Sequence, residues 1–414
     1  MPTKGVPVGE TVALRTAVPA HASLNGAHRS LCADDMIAHS LEKEGRTSFH
    51  NRSFVEPLRR LVHSLNEEAN LSAFGVHAAR FDAVRSLTNL LRLDAAEEQE
   101  PAIASRAIER PIFIAGLPRS GTTFLHGLLA QDGGNRVPRS WQLIFPYPPR
   151  RSRFFGDWRK SRVALQLAIY RRIAPTVAEL HPMSADGPQE CSDITAQVFQ
   201  SLRFDSMYRV PSYQDWIGQH DHMGAYGFHK RFLRHLDRQQ PGGRWILKSP
   251  DHMFALDAIR EVYPDALFVF LHRDPFPVLA SQLNLTEALR RSFSRRIDLN
   301  EIGRNVSEAI IEIAHRLVAN RAQPGVLHLD YRSLIDTPME AVRRIYAHGG
   351  LTLAPKASRR MRRWLQRQKP YCARAHRKGL TEFGLDPREV LARFGRYVQT
   401  FDIAREQGLS APAA

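Results

Sequence analysis

The chain has 414 residues, 43% of them hydrophobic and 24% charged, the balance of a globular protein long enough for a large core. No run approaches ~18 uncharged apolar residues, and residues 1–30 lack the apolar stretch of a secretory signal, so neither a transmembrane segment nor secretion is expected. The net charge of +16 admits nucleic acid, an anionic membrane or anionic small ligands as partners. Cys32, Cys191 and Cys372 are few and far apart, which argues against a disulfide framework or metal cluster and fits a reducing cytoplasm. The basic residues are spread out and show no zinc-finger, RNA-binding or basic-leucine spacing. No nucleic acid is therefore expected, although a basic nucleic-acid-binding protein stands as the non-enzyme alternative.

Residues 1–30 are small, polar and aperiodic, and read as a flexible tail. A helical segment is predicted over 31–105, with Leu58, Val62 and Leu65 on one face and Phe81, Val84, Leu87 and Leu91 on another. The run Glu97-Glu98-Gln99-Glu100-Pro101 punctuates the chain before the core, 106–348. There Pro111 to Ala115 form an apolar strand that enters Gly116-Leu117-Pro118-Arg119-Ser120-Gly121-Thr122-Thr123, and a helix follows from Phe124. Gly116 and Gly121 bracket four residues, the spacing of a phosphate-cradling loop, but Thr122 stands in the lysine position. Glycines let the backbone approach an anion, and the helix start points N–H groups at it. Thr122 and Thr123 add hydroxyls, and Arg119 adds a positive fork. Lacking the lysine that reaches the β/γ-phosphates of a nucleoside triphosphate, the loop is expected to hold another anion. A nucleotide kinase-like enzyme with a degenerate loop is the alternative within this class.

An insertion spans about 141–240. Trp141 to Phe155 reads as an ordered loop rich in proline and aromatic residues. Val163, Leu167 and Tyr170 form a helical stripe with Arg159, Lys160, Arg171 and Arg172 outside it, read as a solvated face rather than a membrane-surface helix. His181 to Glu190 is a turn-rich approach to a helix. The histidines between 195 and 235 lack ligand spacing, so no metal is expected. Phe199, Phe204, Tyr208, Tyr213 and Trp216 are expected to wall an apolar acceptor site. Strands follow at Arg244–Lys248, Ala266–Leu271 and Gly325–Leu329, alternating with helices, the first of which is expected to start at Ser249-Pro250, and a helical extension covers 349–414. The fold class is α/β: a P-loop-type open parallel sheet flanked by helices, with a helical N-terminal layer and helical insertions. Ligands of such sheets sit at the carboxyl ends of the strands, where Arg119, Lys248, Arg273 and Tyr331 all fall.

Together these motifs resemble the sulfotransferases that use 3′-phosphoadenosine 5′-phosphosulfate (PAPS), in their bacterial and tyrosylprotein-type branch. The loop Gly116–Thr123 is similar to the family's 5′-phosphosulfate loop, which implies that Arg119, Ser120, Gly121, Thr122 and Thr123 contact the donor. Arg273 and Ser281 resemble its 3′-phosphate pair, Trp245 to Pro250 its Lys-x-Pro element, and Tyr331 to Pro338 its tyrosine element near adenosine. The resemblance implies transfer of a sulfuryl group to a hydroxyl of a small-molecule or lipid-like acceptor, without a metal. Lys248 and Arg119 would stabilise the departing phosphate oxygen. In the family, the base is either a histidine two residues past the lysine or a glutamate after the loop. Here Pro250 fills the first position, so Glu190 is preferred, with the nearby His252 as the second choice. The triplet Arg377-Lys378-Gly379 resembles a cofactor element of the cytosolic branch, but its surroundings do not, and it is left outside the site.

Overall fold

A five-residue strand, β1 (Ile112–Gly116), lies at the centre of a five-stranded, all-parallel sheet. Every one of its residues is buried, which is why it reads as an uninterrupted apolar run. The computed structural model describes residues 30–147, 158–368 and 378–406. The tail 1–29, Cys372, Arg377 and part of the proline-rich loop fall outside these. The other strands are β2 (Asn135–Arg136), β3 (Arg244–Lys248), β4 (Leu267–His272) and β5 (Val326–Asp330), in the spatial order β2-β3-β1-β4-β5. β1 pairs with β3 from Ile112 opposite Ile246, and with β4 from Ile112 opposite Leu267. The chain thus leaves β1 towards one edge, returns to β3 beside it, and continues on the other side through β4 and β5. That reversal makes the carboxyl end of β1 the switch point of the sheet, where ligands of such folds bind.

Successive side chains of a strand face opposite ways. Phe113 and Ala115 therefore join one hydrophobic core, and Ile112 and Ile114 another. The first core takes in the N-terminal helices Ala33–Glu44, Val55–Glu67 and Ala73–Gln99 together with the insertion. The second takes in the helix Thr122–Leu129 and the helices Pro338–His348 and Pro355–Arg367. Leu58, Val62 and Leu65 are buried as their spacing predicts, but Phe81 is half exposed. Asp82, its neighbour, instead turns inward to Arg203 and Arg85.

Three further details depart from the sequence reading. Ser249 caps a 3-10 turn, Pro250–Phe254, and the helix proper starts only at Leu256. Arg159 lies buried, donating to the carbonyls of Phe145 and Pro146 and stacking over Trp141 at 4.6 Å. Phe199, Phe204, Tyr208 and Tyr213 are core residues, with the Tyr213 hydroxyl donating to the Phe199 carbonyl at 2.8 Å. They fasten the insertion to the N-terminal helices and line no open wall. Among the described residues no helix is long and apolar enough to cross a membrane.

Candidate active site

The loop that leaves β1 is held by backbone conformations few residues adopt. Gly116 has φ +133°, and a Cβ there would lie 2.3 Å from the Leu271 carbonyl oxygen of the neighbouring strand. Gly121, at φ +88°, heads the helix Thr122–Leu129, and its Cβ would press on the Tyr331 ring at 3.1 Å. Arg119 takes φ +62° without being glycine, a costly conformation that is held here by bonds on either side. Its Nε donates to Ser281 Oγ at 3.1 Å, and its carbonyl accepts from Arg273 Nη1 at 2.6 Å. Ser120 is fully buried, donating to the Leu117 carbonyl at 2.6 Å, so it shapes the turn from within. Thr122 is buried and Thr123 exposed at the loop mouth.

Lys248, the last residue of β3, is buried with its ammonium aimed at this mouth. Nζ donates to Thr123 Oγ1 at 3.2 Å and forms an ion pair with Glu190. Two backbone bonds bring Glu190 there: Gln189 N–H donates to the Pro138 carbonyl at 2.8 Å, and Cys191 N–H to the Lys248 carbonyl at 2.9 Å. Burial pushes the Glu190 carboxyl upward, but Lys248 and then His181 outweigh it and hold the group below its ordinary range. His181 is itself pushed down, first by burial, within the fields of Glu190, Lys248 and Arg119. His126 is held down to about 3, by burial first and then by Lys248, and donates through Nε2 to the Ile246 carbonyl at 3.0 Å. Asp251 is pushed up to about 7, first by burial and then by the Glu190 charge.

His252 lies elsewhere. It is fully buried against Phe113, with Nδ1 2.6 Å from the Tyr226 hydroxyl, and burial drives it well below its ordinary value. The Arg273 guanidinium lies 4.0 Å over the Tyr331 ring and forms a two-point pair with Glu406, at 2.6 and 2.7 Å. Lys378, from the triplet set aside on sequence grounds, pairs with Glu287 and bonds Asn284 on the helix that carries Ser281. The structure thus gathers Thr123, Glu190 and Lys248 at one place, and Arg119, Ser281, Arg273 and Tyr331 at another, with the Arg119 charge felt by His181 beside Glu190. Sequence reasoning did not single out His181, His126, Asp251 or Glu406 for these surroundings. Asp251 stands three residues beyond Lys248 and could have been found by asking which carboxylates share its turn; Glu406 carries no local signal.

Residues 111–355 match the model of the sulfotransferase family. Omega-hydroxy-beta-dihydromenaquinone-9 sulfotransferase Stf3, from Mycobacterium bovis and Mycobacterium tuberculosis, is 27% identical over 249 residues. That match covers 58% of this chain and 63% of the relative, so the chain spans under two thirds of the curated relatives' length. The crystal structure of sulfotransferase STF9 from Mycobacterium avium superposes with a TM-score of 0.80 at 29% identity, covering 92% of this chain and 99% of that one. That of STF1 from Mycobacterium tuberculosis gives 0.77 at 30% identity, covering 88% and 98%. These likenesses favour the sulfotransferase reading over the kinase-like and nucleic-acid alternatives. With more than half of its length matched by the family model and its fold shared with these crystal structures, the chain belongs to the sulfotransferase family.

Proposed function

We propose that the protein transfers a sulfuryl group from PAPS to a hydroxyl of a lipid-like or small-molecule acceptor. The observation that carries this reading is the contact of Lys248 Nζ with both the Glu190 carboxylate and the Thr123 hydroxyl at the loop mouth. Arg119, Ser120, Gly121, Thr122 and Thr123 cradle the phosphosulfate, Arg273 and Ser281 hold the 3′-phosphate, and Tyr331 lies beside the adenosine. The acceptor oxygen attacks sulfur as the bond from sulfur to the bridging phosphate oxygen breaks. That oxygen leaves with the electron pair on 3′-phosphoadenosine 5′-phosphate (PAP), and Glu190 takes the acceptor proton. As in phosphoryl transfer, a loose in-line transition state asks mainly for positioning and positive charge, which Lys248 and Arg119 supply. Lys248 exchanges its bond to Glu190 for one to the departing oxygen, freeing the carboxylate as it is needed. Glu190 takes precedence over His252, whose ring is packed inside the core.

The Stf3 relatives, named for omega-hydroxy-beta-dihydromenaquinone-9, support an acceptor with a hydroxyl on a lipid-like body. A reducing, cytoplasmic setting is the reading that three widely spaced cysteines favour. The test is incubation of the protein with labelled PAPS and a lipid extract, with and without EDTA. Label in an acceptor, undiminished by EDTA, is expected. Turnover abolished by EDTA, or no thermal shift with PAP, would overturn the reading.

A further inference from the structure

The helix Arg159–Ile173 carries five cations, Arg159, Lys160, Arg162, Arg171 and Arg172, and no acidic residue. Arg159 is buried, and Val163 packs into a small core with Trp141 and Phe145. On the opposite side Leu165, Ile169 and Ile173 are 58%, 50% and 56% exposed. Spaced four residues apart, they make one continuous apolar stripe down the helix. They are three of the six large hydrophobic side chains that stand exposed among the described residues, so the apolar surface is concentrated here. Arg172, three residues after Ile169, puts an exposed cation beside the stripe, and Arg162, three before Leu165, is also exposed, its guanidinium lying over the Trp158 and Phe145 rings at 5.1 and 5.3 Å.

We propose that this face docks on an anionic membrane surface. An apolar stripe flanked by arginines suits a helix lying in the plane of a bilayer, its aliphatic side chains among the acyl chains and its guanidinium groups at the phosphates. The chain's net charge of +16 draws it towards the same surface. A second copy of the chain would bring these same cations face to face, which charge opposes. The helix is also tied to the stretch that carries the proposed base. Arg171 Nη2 donates to the Met183 carbonyl at 2.6 Å, and Lys160 pairs with Asp186 at 2.9 Å, four residues before Glu190. A docked helix therefore sets the acceptor side of the site close to the lipid.

The test is flotation of the full chain with phosphatidylcholine vesicles, with or without phosphatidylglycerol. The wild type is expected to float with the anionic vesicles and to be released by salt. The triple variant Leu165→Ser, Ile169→Ser, Ile173→Ser alters only exposed positions; its partition should fall about a hundredfold. Arg162→Gln with Arg172→Gln should lower it about 30-fold, on anionic vesicles alone. PAP binding by both variants should be unchanged, which separates failure of docking from failure of the sulfotransferase reading. No flotation of the wild type, or equal flotation of the triple variant, would overturn the proposal. So would a wild-type dimer that the triple variant converts to a monomer without any vesicle binding.

Discussion

The Glu406 carboxylate grips the Arg273 guanidinium at two points, 2.6 Å from Nε and 2.7 Å from Nη2. A 3′-phosphate that Arg273 reads through this edge takes the place of that carboxylate. Glu406→Gln removes the competing charge and should tighten PAP binding about twofold to fivefold by calorimetry, the scale of a partly exposed ion pair. Arg273→Ala should weaken PAP by ~1.5–3 kcal/mol while sparing an analogue without the 3′-phosphate. Because Arg273 also braces the Arg119 carbonyl, equal losses for both ligands would assign it to loop support alone.

Glu190→Gln is expected to keep PAPS affinity and lower turnover by about 10²–10⁴, the range for a general base. The pH profile gives an independent reading. The Glu190 carboxyl is held below its ordinary value, so in the free enzyme the base form is already present at mildly acidic pH. The acid limb of kcat/KM should therefore fall below pH ~4.3, the ordinary glutamate value. A limb near pH 7 would point instead to Asp251, which burial pushes up to about 7.

Gly121→Ala puts a Cβ at φ +88° against the Tyr331 ring. The strain should cost about 1–2 kcal/mol of stability and displace the loop or the ring. A protein that keeps its circular dichroism but loses most of the thermal shift given by PAP is the expected outcome. An unaltered shift would mean that the loop does not hold the donor.

Glu97 accepts from Arg231 and His235 and joins the long N-terminal helix to the helix Met223–Gln239. Burial alone would raise its carboxyl, yet the His235 and Arg231 bonds lower it to about 2. A depressed carboxylate stabilises the fold above its unfolded value, and the contribution is lost as pH falls through the folded one. The loss should run from about pH 4.5 down to 2 and amount to roughly 1–2 kcal/mol after solvent screening. Denaturant titrations of wild type and Glu97→Gln should therefore differ at pH 6 and converge near pH 2.

The buried strands are legible in the sequence because burial on both faces leaves apolar runs with turn residues at either end, as at Ile112 and Leu267. β2 is not: two residues, Asn135 and Arg136, show no period, and only their pairing with Arg244 and Trp245 makes them a strand. The loop and Lys248 are legible because close backbone approach and a charge at a strand end leave local marks. Burial is harder to read from spacing alone. Phe81 fits an apolar helical face yet stands in solvent, and Arg159 looks like a surface cation yet fills a polar cavity of carbonyls. The partner of Arg273 comes from 133 residues further along, where no spacing could announce it.

The alternation along β1 has a consequence for how such a protein can change. Ile112 and Ile114 share their layer with Leu125, Leu128 and Leu129 of the helix that follows the loop Gly116–Gly121, and Phe113 shares its own with the aromatic residues of the insertion. The helix after the loop is thus packed on one side of the sheet, whereas Leu117 of the loop itself and Val278 and Leu279 of the helix that carries Ser281 are packed on the other, together with the insertion. A side chain exchanged in the insertion can therefore reach the loop through that shared packing, so the two halves of the proposed site are free to change only together.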